Sequence, residues 1–200
     1  MKRAPLYHAG NNDKQLIDLL DYIHELEPNY IAHNVDGYFE LTNGRYQWVP
    51  LAVYVFLDLM NEALKHTDNK QDIHFVDVGS GIGTKLMLAE YILTSAGKNV
   101  SLSGIEIDQK LVDVSKQLVP QANIKVGNAL DMDYGEYDVV YLYHPFIDNK
   151  LQKQLDERIA KTIKTGAIVV LPLNTTDGYN SLKRVFNHFN AYSEDVFKKE

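Results

Sequence analysis

The residues best suited to chemistry begin with an aspartate followed by three closely spaced glycines, Asp77-Val78-Gly79-Ser80-Gly81-Ile82-Gly83-Thr84. Glycines at this spacing let the chain turn tightly and bring bare main chain against a ligand. A helix opening at Thr84–Lys85 offers free N–H groups and the positive end of its dipole, which suit an anion. A second acid, Glu106, lies 23 residues beyond Gly83 in Ser-Gly-Ile-Glu-Ile-Asp. A carboxylate at a strand tip beside a glycine turn can accept both hydroxyls of a ribose. Asp108 is the alternative acid, with a helix-capping role equally open to it. The third group is Tyr143-His144-Pro145-Phe146. Imidazole titrates near neutrality and can take a proton from an amine or hydroxyl. The flanking Tyr143 and Phe146 rings can pack around a cationic or planar acceptor. His144 reads equally well as a group that hydrogen-bonds its own loop.

The surrounding pattern says which elements carry these groups. Residues 13–26 put Leu16, Ile17, Leu19, Leu20, Ile23 and Leu26 on one helical face, with Asn12 or Asp13 as cap and Pro28 past the end. Asn43-Gly44 between two β-prone runs predicts a hairpin. Pro50 suits the first turn of a helix over about 50–65, packed through Val53, Phe56, Leu57, Met60 and Leu64. A polar stretch at 66–72 then separates this part from alternating strands and helices. Strands are predicted at 73–78, 100–107, 123–127, 137–143 and 167–173, and helices at 84–95, 109–118 and 148–164. That alternation implies a doubly wound α/β fold, a mostly parallel sheet of about seven strands with helices on both faces. The last residues are read as a helix over about 179–188 and an abbreviated hairpin, with strands near 189–192 and 196–199. Residues 1–66 form an N-terminal extension and lid, and 67–200 the ligand-binding core.

Three ligands compete for the glycine loop. A P-loop needs Gly-Lys-Ser/Thr, whereas the order here is Gly83-Thr84-Lys85. A dinucleotide loop reads G-x-G-x-x-G, whereas this one reads G-x-G-x-G, and Asp77 would sit badly beside a pyrophosphate. An aspartate there suits a ligand carrying an ammonium. Phe75–Thr84, FVDVGSGIGT, resembles motif I of the class I, Rossmann-like methyltransferases that use S-adenosylmethionine (SAM). The resemblance implies that Asp77 and the backbone of Gly79, Ser80, Gly81 and Gly83 face the methionine part of SAM. It implies that Glu106 and Ile107 face the adenosine. Residues 126–131, VGNALD, resemble the next family motif, Gly-Asp-Ala. That likeness puts Asn128 and Ala129 near the adenine, with Asp131 a substitute acid and simple turn chemistry the other reading of Asn128.

The tetrapeptide at 143–146 resembles the Asn/Asp-Pro-Pro-Phe/Tyr motif of enzymes that methylate planar nitrogens, with Tyr143 and His144 replacing its first two residues. A Tyr-Asn-Pro-Phe variant of small methyltransferases is nearer. The likeness implies that Tyr143, His144 and Phe146 form the acceptor site, with Tyr143 also touching the cofactor. Tyr46-Gln47-Trp48-Val49-Pro50 is similar to the entry segment of several Rossmann-type protein-lysine methyltransferases. It implies a lid of Tyr46, Trp48 and Pro50, while plain hairpin packing accounts for the same aromatic residues equally well.

Bulk properties narrow the classes. Two hundred residues with 45% apolar and 24% charged side chains describe an ordinary globular chain. The absence of cysteine excludes disulfides and thiolate metal sites. The scattered histidines show no metal-ligand spacing. A net charge of −7 argues against holding nucleic acid by charge alone. No signal peptide or membrane-length apolar run is read, and a cytoplasmic location is expected. The expectation is a metal-free, SAM-dependent methyltransferase that releases S-adenosylhomocysteine (SAH). Its acceptor is a protein lysine or another amine, with a small molecule next and a nucleic-acid base last. The rivals are a nicotinamide-dependent oxidoreductase and a methyltransferase-like binding module without catalysis.

Overall fold

The computed structural model describes residues 12–28, 53–67, 70–189 and 193–200. The predicted Asn43-Gly44 hairpin and the lid residues Tyr46, Trp48 and Pro50 lie outside them. In chain order the elements are α1 (Asn12–Leu26), α2 (Val53–Lys65), β1 (Asp72–Val78), α3 (Thr84–Ser95), β2 (Asn99–Glu106), α4 (Gln109–Leu118) and β3 (Asn123–Val126). After a 3-10 turn at Ala129–Asp131 come β4 (Val139–Leu142), α5 (Asn149–Thr162), β5 (Ile168–Leu171), β6 (Lys183–Phe189) and β7 (Ser193–Lys198). The strand order is β3-β2-β1-β4-β5-β7-β6. The first five strands pair in parallel, while β7 runs antiparallel to β5 and β6 antiparallel to β7.

Local chemistry sets the boundaries. Asp108 and Asp148 cap α4 and α5 by accepting from Lys110 and Lys150 N–H groups. Strand β4 is buried at every position, as expected for a strand covered on both faces. Helix α3 buries nine of its twelve residues, so it is packed nearly all round.

Two clusters fill the faces of the sheet. One gathers Leu19 and Ile23 of α1, Phe56 and Leu59 of α2, much of α3, Val112 and Leu118 of α4, and Phe75 and Tyr141 of the sheet. The other holds Val76, Val140 and Val169 against Leu155, Ile159 and Ala160 of α5, with Tyr134 and Tyr179 from loops. The N-terminal helices thus share one core with the sheet. Among the described residues no helix is long and apolar enough to cross a membrane.

Three expectations need correction. No helix forms over 179–188; Lys183–Phe189 is a full strand paired with β7. Its β-prone Val185, Phe186 and Phe189 complete the sheet edge, and the hairpin is not abbreviated. The second correction is Ile17, which is 56% exposed, because α1 packs through a narrower stripe centred on Leu19, Ile23 and Leu26. The third concerns α2, where Val55, Leu59 and Ala63 are buried with Phe56 and Met60, while Val53, Leu57 and Leu64 are only partly covered.

Candidate functional site

In an open α/β sheet, ligands bind beyond the carboxyl ends of the strands where the order reverses. Here that point lies between β1 and β4. The three loop glycines, Gly79, Gly81 and Gly83, all adopt positive φ, which other residues reach only at a cost. A Cβ on Gly83 would come within 2.8 Å of Ser115 Oγ, and one on Gly79 within 3.4 Å of Pro145 Cβ. The first contact lets α4 pack against the loop. The second brings the β1 and β4 tips together.

Four N–H groups of the loop point inward, whereas the expected free N–H groups are those of the turn that opens α3 at Thr84–Lys85. Gly79 and Ser80 donate to the Ile105 carbonyl at 2.8 and 3.0 Å, and Gly83 donates to Ser80 O at 2.9 Å. Gly81 N–H donates to Glu106 Oε2 at 3.0 Å. At those four positions the loop offers bare backbone rather than free donors. A pyrophosphate would want those donors.

Glu106, 9% exposed, binds the tips of β1 and β2 together. Its Oε1 accepts from the N–H groups of Ile107 and Asp108 at 2.7 and 3.0 Å. An ionised carboxylate accepts at about four sites, so three backbone donors leave room for a hydroxyl. Beside it, Ile107 and Val126 are 43% and 44% exposed. They lie at the β2 and β3 tips, which Gly127 N–H ties together by donating to Glu106 O at 2.9 Å. Asp108 is the cap of α4. Asn128 caps the 3-10 turn through Leu130 N–H at 3.2 Å. Ala129 O accepts from Tyr134 Oη at 2.8 Å.

Asp77 is 3% exposed. Burial pushes its carboxyl up to about 7, Lys85 pulls it down, and Glu106 adds to the rise. Lys85, 7% exposed, is in turn lowered by burial, against the pull of Glu27 and Asp77. Ser80 Oγ and Tyr141 Oη are buried without a hydrogen-bond partner. Tyr141 is the register partner of Asp77 on β4.

At the β4 tip, His144 has φ 41°, the one positive φ of a non-glycine among the described residues. Such backbone costs of order 1–3 kcal/mol and gathers at functional sites. Its Nδ1 lies 3.2 Å from Thr175 Oγ1, and burial lowers its pKa. Tyr143 is partly buried against the first core cluster. Phe146, 3% exposed, packs into the second cluster beneath α5, so the structure does not bring it to the cleft as the third acceptor residue.

The structure thus gathers Asp77, the glycine loop with Ser80, Glu106, Ile107, Asn128, Ala129, Tyr143 and His144 around one set of strand tips. Sequence reasoning missed Lys85, Glu27, Tyr141 and Thr175. Lys85 carried a signal, a lone cation in the apolar run of α3; the others carried none. Two surface clefts, of about 330 and 500 Å³, lie elsewhere. The first is lined by Tyr54, Asp58 and Glu62 of α2 with Phe186 and Glu194, and the second by Glu157, Gly178 and Ser181 among others. Neither borders the glycine loop.

No protein-family model matches the chain, and no curated protein does. Solved structures do. The PH0226 protein of Pyrococcus horikoshii superposes with a TM-score of 0.57 at 10% identity, over 86% of this chain and 99% of its own. A TehB-like SAM-dependent methyltransferase of Corynebacterium glutamicum gives 0.52 at 12% identity, over 92% and 100%. The plantazolicin methyltransferase BpumL, solved with a substrate analogue and SAH, gives 0.50 at 17% identity, over 76% and 55%. The chain spans only about half the length of some matched proteins, 50% and 46% in two further cases. At these identities the likeness is one of architecture: the chain has the fold of the class I SAM-dependent methyltransferases.

Proposed function

We propose that the chain binds SAM at the β1, β2 and β4 tips and transfers its methyl group to an amine nitrogen, of a protein lysine or another amine. The observation that carries this reading is the pairing of Asp77 and Glu106 around a glycine loop in which the Gly79, Ser80, Gly81 and Gly83 N–H groups are used internally. Such a loop is poor for a pyrophosphate and good for an uncharged sugar beside an amino-acid head. That argues against the nicotinamide rival. The buried, unpartnered oxygens of Ser80 and Tyr141 fit a polar ligand at the same place. Glu106 would hold the ribose, and Ile107 with Val126 would support the adenine. Asp77 would face the ammonium.

SAM supplies an activated methyl group on a sulfonium. The chain's own residues position the acceptor, exclude water and handle a proton. Burial favours neutral His144, which keeps a lone pair at neutral pH and can take the proton an amine must lose. Thr175 orients the imidazole through Nδ1. A small-molecule acceptor fits the same chemistry. A binding module without catalysis draws on a different observation: residues 172–182 carry no helix, and Phe146 is turned into the core.

The test is a calorimetric titration with SAH and, separately, NADH, followed by tritiated methyl transfer into a lysate split into protein, nucleic acid and small molecules. Binding of SAH alone and label in protein or small amines are expected. Binding of NADH alone refutes the reading, and SAH binding without label in any fraction favours the inert module. His144→Ala should leave SAH affinity unchanged and cut turnover by roughly a hundredfold or more, the usual scale of general-base catalysis.

A further inference from the structure

Between α1, α3 and the tip of β1 lies a group of buried charges that bind one another loosely. The Lys85 side chain is 9% exposed, and its ammonium sits 3.8 Å from Glu27 Oε1 at the end of α1. A close ammonium–carboxylate contact is about 2.7–2.9 Å, so this pair is not closed. Glu27 Oε1 is buried and accepts no hydrogen bond. Asp77 lies within electrostatic reach of Lys85 and is itself buried. The Tyr141 hydroxyl, within electrostatic reach of Asp77 in the same region, is buried and unpartnered.

Leaving charges in this state is expensive, because a buried charge must recover in close hydrogen bonds what it loses in hydration. The position of Lys85 adds to the cost. It stands in the first turn of α3, at the positive end of the helix dipole, where cations are disfavoured. One cation, two carboxylates and a phenol, all loosely bonded, complement a ligand bearing both signs at short range. An α-amino acid head is such a group. Its carboxylate matches Lys85 and the Tyr141 hydroxyl, and its ammonium matches Asp77 and Glu27.

We propose that Lys85 and Glu27 are ligands of the cofactor's amino-acid head, Lys85 for its carboxylate and Glu27, with Asp77, for its ammonium, so that the ligand ties α1 to the site. This rests on the SAM-binding reading above and adds to it a part for the N-terminal helix. An adenosine thioether without the amino-acid head would bind without engaging α1.

The experiment titrates the full chain and its variants with SAH and with 5′-methylthioadenosine, which lacks that head, and follows hydrogen exchange in α1. In Lys85→Met, SAH affinity should fall roughly tenfold or more, about the worth of one charged hydrogen bond. In Glu27→Gln it should fall severalfold. 5′-Methylthioadenosine should bind both variants as it binds the wild type. SAH, and not 5′-methylthioadenosine, should slow exchange in α1. If Lys85→Met does not fold, Glu27→Gln and the charge-neutral double variant Lys85→Met/Glu27→Gln carry the same comparison. Wild-type SAH affinity in the variants overturns the inference alone, as does an equal loss for both ligands or equal protection of α1 by both. A wild-type chain that binds neither nucleoside overturns the SAM-binding reading and this inference together.

Discussion

Asp77 is where stability and the proposed binding would pull against each other. Its carboxyl ordinarily titrates near 3.8, and burial lifts it to about 7 in the folded chain. Between those values the unfolded chain has given up the proton and the folded chain still holds it. Folding stability therefore falls as pH rises from about 4 to about 7, and then levels off. Asp77→Asn should remove that slope and raise the melting temperature of the ligand-free chain above pH 7, while weakening SAH roughly tenfold or more for want of a charged partner. Thermal scans at several pH values with SAH titrations check both halves. Glu106 differs, because on the proposed reading it would serve fold and ligand in the same direction. Glu106→Ala strips an acceptor from three backbone N–H groups. It should weaken SAH by roughly 2–4 kcal/mol and lower the denaturation midpoint as well. An unchanged midpoint would mean that water replaces the carboxylate at no cost.

At the scale of elements, the site depends on ties at both ends of the strands. Three consecutive residues beyond β5 each reach a different neighbour. Asn174 donates to Asp195 on β7 at 2.6 Å, Thr175 meets His144 at the β4 tip, and Thr176 donates to Asp156 on α5. Asp156 also accepts from Gln152 at 2.8 Å, whose own oxygen accepts from Phe146 N–H at 3.3 Å. These side chains do the work that a helix between β5 and β6 would have done by packing. At the opposite end, Asp138 gathers β1 and β4 by accepting from His74 N–H at 3.0 Å, with Lys70 and Lys164 at 2.8 and 2.9 Å. Burial pushes the Asp138 carboxyl up, but Lys70, the His74 amide and Lys164 together hold it below its ordinary value. Its contribution is therefore full above the unfolded value near 3.8 and disappears as pH falls through the lower folded one. Asp138→Asn should cost about 1–3 kcal/mol at neutral pH. In urea titrations the gap to wild type should close in acid below about pH 4.

Among the described residues the two faces of the sheet are unequally covered. Four helices and the larger cluster lie on one face, and α5 and two loops on the other. The N-terminal helix belongs to the heavier face, with Leu19 and Ile23 at 0% and 1% exposure. It is integral to the core, and Glu27 at its end lies 3.8 Å from Lys85 in the first turn of α3. Leu19→Ala should cost roughly 2–5 kcal/mol through the cavity it leaves. The calorimetric transition should stay single, because α1 shares its core with the central strands. A separate early transition would show that α1 melts independently.

Much of this protein was legible in its residues. The alternation of strands and helices between residues 72 and 171 came through because apolar periodicity and caps are local properties. The glycine loop was legible because a loop needing positive φ at three places must write glycine there. The C-terminal strand Lys183–Phe189 was misread as a helix, because its pairing with β7 outweighs local preference. The direction of the loop's N–H groups was also hidden, since it depends on how Glu106 and Ile105 of the neighbouring strand meet it. So was the meeting of Glu27 with Lys85, which stand far apart along the chain and are joined only when α1 packs on α3. Residue types and spacing determined which chemistry was on hand. Tertiary packing decided which of those groups are buried, which are paired and which still need a partner, because burial and pairing belong to groups the chain brings together from a distance.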